Sequence, residues 1–149
     1  AVLIMRNYIV AILLCQDTQR VLLVREPTTS LDSNGKFLAF EGECGQRETV
    51  NDAAIRIIRE KTGVNVSGRL QRLGKLTLET SISPSTRRKG MVNYFSASVR
   101  ESEVATVTLD REGLVWLPLA SVLAMPAASN TLAGSGELQY FTSLALRRM

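Results

Sequence analysis

Two short apolar runs open the chain, residues 8–15 and 21–24, separated by the polar stretch Gln16-Asp17-Thr18-Gln19-Arg20. Both are rich in Val, Ile and Leu. Unbroken runs of this length and content predict strands buried on both faces and joined as a hairpin. Residues 26–36 carry Pro27, Asp32-Ser33-Asn34 and Gly35 and read as a loop, and residues 37–40 as a short strand. The period then changes. Across residues 48–62, Ala53, Ala54, Ile57 and Ile58 fall on one helical face, with Asp52, Arg56 and Arg59 opposite. Thr49 or Asn51 can cap this helix, and Gly63 stands where a left-handed residue ends it.

Beyond Gly63, residues 69–82 alternate in places through Leu70, Leu73, Leu76 and Leu78, with a break at Gly74. The pattern predicts a strand pair or one long bent strand. Residues 83–90 read as a polar basic loop, residues 91–99 as a strand with one phase shift, and residues 114–117 as a short strand holding the only Trp. Pro118 can open a helix over residues 119–124, and residues 136–146 read as a last helix. The order is β-β-loop-β-α-β-β-β-α-α, a single α+β or mixed α/β domain over residues 1–149, with no internal repeat.

Composition narrows the chemistry. One domain is expected from 149 residues. The longest apolar run is too short to cross a bilayer, so no membrane role is expected. Arg6 sits in the middle of the apolar stretch formed by the first fifteen residues and no small-residue cleavage pattern follows Cys15, so the stretch reads as a buried strand and not as a signal peptide. There is no histidine, which excludes Cys/His zinc sites, histidine-ligated haem and any histidine base. The two cysteines, Cys15 and Cys44, are expected to be reduced thiols, which points to an intracellular, reducing compartment such as cytoplasm or an organelle matrix.

Charge is uneven. Residues 56–100 hold ten basic and two acidic side chains, a net of +8, while the rest of the chain is net −4. Arg69, Arg72 and Lys75 on the strand, with Arg87, Arg88 and Lys89 in the expected loop, are candidates for contacting phosphate or RNA. A solvated basic surface is the alternative reading.

One segment carries a specific motif. Gly42, Glu48, Arg56, Ile58, Glu60, Gly63 and Val64 stand at the spacings of the Nudix box, which residues 42–64 resemble. The resemblance implies an α/β/α sandwich around a mixed sheet. It also implies cleavage of a phosphoanhydride in a nucleoside diphosphate linked to another moiety, by water activated on magnesium or manganese. In the family, glutamates at the positions of residues 57, 60 and 61 converge on the metal. Here those positions are Ile57, Glu60 and Lys61. One carboxylate remains, and a lysine stands beside it. The usual Pro-Gly-Gly is replaced by Phe40-Glu41-Gly42, so Glu41, Glu43, Glu48 and Glu60 become candidates for a displaced acidic site binding magnesium or manganese weakly or not at all. The alternative for Glu48 is an ion pair with Arg56 that holds the loop on the helix, as the family pattern implies, with Glu41 and Glu43 solvated.

Two functions from different classes follow. The eroded helix face favours a Nudix-fold protein that binds nucleotide, RNA or a protein partner (another copy of itself included) without hydrolysis. The other is a magnesium-dependent pyrophosphohydrolase acting on nucleoside diphosphate derivatives, with Glu60 and Glu48 as catalytic carboxylates.

Overall fold

The computed structural model describes residues 2–25, 37–83, 86–124 and 135–148. The loop expected over residues 26–36 therefore lies outside them. Among the described residues, seven strands form one mixed sheet: β1 (Val2–Cys15), β2 (Arg20–Arg25), β3 (Phe37–Leu38), β4 (Phe40–Glu43), β5 (Leu70–Ser83), β6 (Thr86–Ser98) and β7 (Leu114–Pro118). Strand β1 is the spine. It pairs in parallel with β6 along one edge. On the other edge β2 and β4 pair with successive parts of it, antiparallel.

Both faces of β1 are covered, which is why its sequence reads as a continuous apolar run. Ile9, Ala11, Leu13 and Cys15 join the core beneath helix α1 (Val50–Thr62), and Val10, Ile12 and Leu14 join the core beneath α4 (Ser135–Arg147). Shorter helices α2 (Thr106–Glu112) and α3 (Leu119–Leu123) flank β7. The result is the expected α/β/α sandwich.

Helix α1 forms as its pattern predicts. The Thr49 hydroxyl accepts from the Asp52 N–H at 3.1 Å, and Gly63 closes the helix in the left-handed region at φ 78°. Ala53, Ala54, Ile57 and Ile58 are buried against the sheet.

Three expectations are corrected. Arg87, Arg88 and Lys89 are not in a loop: they lie on β6, opposite Leu3, Ile4 and Met5 of β1 and Ser81, Thr80 and Glu79 of β5. A strand flanked on both sides satisfies its backbone whatever its side chains, so polar composition does not mark its start. The phase shift expected in β6 sits instead in β5, where the register slips between Arg72 and Gly74 opposite Phe95 and Tyr94. Strand β6 alternates regularly. It looked shifted because Val92 and Tyr94 feed one core while Phe95 and Ala97 feed the other. Last, the 3-10 turn Glu101–Glu103 and α2 were not anticipated; α2 has no buried residue, so no apolar stripe announces it.

Candidate functional site

The box segment places its glutamates on arginines. Arg56 projects from α1 toward the loop that precedes it. Its Nε donates to Glu48 Oε2 at 2.8 Å and its Nη2 to Glu48 Oε1 at 3.0 Å, a two-pronged pair. The same Nη2 donates to the Glu43 carbonyl at 3.0 Å, and Nη1 reaches Glu60 Oε1 at 3.4 Å, one helical turn on. Glu48 also accepts the Gly45 N–H at 3.0 Å. The Arg56 guanidinium, with help from that amide, holds the Glu48 carboxyl down at about 2, and Arg56 itself is raised by Glu48. This cluster staples the loop to the helix.

The remaining carboxylates are distributed elsewhere. Glu43 Oε1 is 2.6 Å from Arg6 Nη1. Gly42 faces Ile57, so Glu41, its neighbour along β4, projects to the opposite face of the sheet, and its field, with that of Glu137, adds to the burial that raises the Tyr94 phenol to about 12. Lys61 pairs with Glu112 of α2 at 3.8 Å. Ile57 is 5% exposed and lies so close to Gly42 that a Cβ there would stand 2.6 Å from Ile57 Cδ1. The backbone of β4 and the buried Ile57 thus fit together only because residue 42 is glycine.

This donor set does not match the three converging helical carboxylates that the family uses for a divalent cation. Glu48 and Glu60 share one arginine, Glu43 has its own, and Glu41 projects from the other face. Among the described residues, no group of three or more acidic or cysteine side chains is disposed to hold a metal. Arg6 and Glu112 were not singled out from the sequence. An arginine inside an otherwise apolar strand is a signal for the first; nothing local marks the second, 51 positions from its partner.

The basic residues divide into groups along β5 and β6. Arg69, in the turn before β5, donates to Glu103 Oε2 and to the Asn65 carbonyl, both at 2.9 Å, and holds Glu103 below the usual carboxylate range. The Arg72 guanidinium lies 6.0 Å from the Phe95 ring centroid. Lys75 is exposed. Lys89 stands opposite Glu79, four residues beyond Lys75 along β5, or about 13 Å at the usual strand rise. The two groups therefore share one ribbon without coinciding.

The cysteines differ. Both are free thiols. Burial, then the Glu48 charge, pushes Cys44 up. Burial pulls Cys15 the same way but is outweighed by hydrogen bonds from Thr18, Glu101 and Asp17, which bring it down.

Fold and motif agree with comparison to known proteins. The family model described as NUDIX domain matches residues 5–134, and the chain belongs to that family. The dihydroneopterin triphosphate pyrophosphohydrolase of E. coli superposes with a TM-score of 0.66 at 17% identity, covering 97% of this chain and 99% of that one. The NrtR protein of Shewanella oneidensis, in complex with a 27mer DNA, superposes with a TM-score of 0.65 at 22% identity over 95% of this chain. The match spans 61% of the NrtR chain, about three fifths of its length. The NUDIX domain of the same protein has been crystallised with ADP ribose, and it superposes at 0.59 with 19% identity, covering 99% of this chain and 89% of that domain. No curated protein matches the chain. No described helix is long and apolar enough to cross a membrane.

Proposed function

We propose that this NUDIX domain binds a nucleotide without hydrolysing it. The observation that carries the reading is the helix face at residues 57 and 61: Ile57, buried against Gly42, and Lys61, paired with Glu112, occupy positions where the family places ligands, which leaves Glu60 as the one carboxylate there. Stabilising the charge that develops when water cleaves a phosphoanhydride takes several kcal/mol, which in this family a metal supplies. A lysine beside the remaining carboxylate opposes a cation there. The ADP ribose complex of the Shewanella NUDIX domain supports a nucleotide as the ligand class. Arg72 and Lys75, exposed on the edge strand β5, supply cations for its phosphates. The basic ribbon suits a polyanion better than a neutral ligand; RNA is the longer form of the same chemistry.

Calorimetric titration with ADP and ADP-ribose, with and without magnesium, tests this. Binding is expected to weaken with salt, to be indifferent to magnesium or chelator, and to leave the ligand intact. Robust magnesium-dependent release of a phosphorylated product by the unmodified chain overturns it in favour of the hydrolase, with Glu48, Glu60 and Glu43 as the carboxylates on the α1 side left to hold the metal.

A further inference from the structure

Helix α4 buries Leu138, Phe141 and Ala145 against the sheet, at the spacing a helix uses to cover a core. Packing does not account for Tyr140, which is 57% exposed. Its ring meets Phe141 edge-on at 4.9 Å, and Phe141 in turn lies flat on Tyr94, 3.8 Å away and 10° from parallel. Across from Tyr140, Leu76 on β5 is 43% exposed. Together Leu76, Tyr140, Phe141 and Glu137 line an open cavity of about 260 Å³. Large apolar side chains on a surface are ordinary when scattered; here Leu76 and Tyr140 flank one opening that Phe141 also lines, with Tyr94 stacked behind Phe141, and together they form a shallow slot.

We infer that this slot is a base-reading pocket for a planar heteroaromatic ring that carries an amino group. The inference rests on the nucleotide-binding reading and adds the class of base. Three features of the pocket set its occupant. Its volume lies below the roughly 300–1,000 Å³ of sites that enclose a whole drug-sized ligand, so it takes one ring system and leaves the sugar and phosphates outside. Its walls are two ring faces or edges and an aliphatic side chain, which suit stacking. Its one charged lining group, Glu137, lies on the same helical face three and four residues before Tyr140 and Phe141. An ionised carboxylate only accepts hydrogen bonds, so it favours a ring edge bearing amino N–H donors and disfavours one bearing a carbonyl.

The test compares adenosine with purine riboside, which lacks the amino group, and follows ADP in parallel. Titrations are read by calorimetry and by the NMR signals of Tyr140. Adenosine is expected to bind about tenfold more tightly than purine riboside. Glu137→Ala is expected to bring the two within about twofold of each other, and Tyr140→Ala to weaken both. Both positions are exposed, so folding is not at stake. Equal affinity for the two nucleosides in the unmodified chain, or ADP binding untouched by Tyr140→Ala, overturns the pocket while leaving nucleotide binding intact. Hydrolysis of ADP with the amino preference retained overturns the non-hydrolytic reading and upholds the pocket. Absence of any adenosine signal at Tyr140 overturns the pocket whatever ADP does.

Discussion

The two faces of the sheet treat charge in opposite ways. Beneath and around α1, ionic side chains are drawn into pairs: Arg56 with Glu48 and Glu60, Lys61 with Glu112. Around α4 the notable groups are aromatic, Tyr94 stacked on Phe141 and the exposed Tyr140 edge-on to Phe141, with Glu137 beside them. The first face carries the motif that identifies the family, yet its carboxylates are committed to arginine. The second carries no motif, yet it keeps an open, shaped surface. A family signature therefore marks where the fold's chemistry is usually placed, while the contacts of each side chain show how this chain has arranged its charges there.

The strongest way to break this comparison is to remove the floor of the aromatic face. Phe141 is 4% exposed and covers Tyr94, so Phe141→Ala is expected to cost about 3–5 kcal/mol of stability. Urea denaturation checks this; a loss below 1 kcal/mol means that the stack is not part of the core.

Next in size is the attempt to rebuild the motif on the α1 face. Ile57→Glu puts a carboxylate into a buried site tight against Gly42 and is expected to cost about 2–4 kcal/mol. Adding Lys61→Glu restores the family's three acidic positions. The melting temperature of that double variant is expected to rise with magnesium chloride, while that of the unmodified chain stays level. A magnesium-dependent rise in the unmodified chain reverses the assignment of the two faces.

The smallest effect sharpens the Arg56 cluster. Arg56→Ala is expected to cost about 1–2 kcal/mol, because the pair is partly exposed and solvent screens it. Its pH dependence has a defined sign. Glu48 is held at about 2 in the folded chain against an ordinary 4.5, so the pair's contribution is full above about 4.5 and fades as pH falls toward 2. Acid titration of stability is expected to flatten in that window in Arg56→Ala. An unchanged acid limb shows that Glu48 draws its low value from the Gly45 amide instead.

Much of the fold was legible in the chain. Val21, Leu22 and Leu23, all buried, came from an unbroken apolar run, and α1 from a 3.6-residue period with a Thr cap and a Gly stop. These are local signals. Strand β6 shows where local signals end: Arg87, Arg88 and Lys89 look like loop residues until β1 and β5 are seen on either side of them.

The same division holds at the site. The sequence by itself determined the family, the cap and stop of α1, and the loss of acidic side chains at Ile57 and Lys61, because residue type and spacing along one helix decide those things. Only the tertiary structure decided which partner each remaining charge took. Arg6 reaches Glu43 across 37 residues and Lys61 reaches Glu112 across 51, and Tyr140 and Leu76 line one opening only because α4 packs back onto the far edge of the sheet. The free energy of an ion pair or a stacked ring depends on distance and exposure in space, and neither is written in the order of residues along the chain.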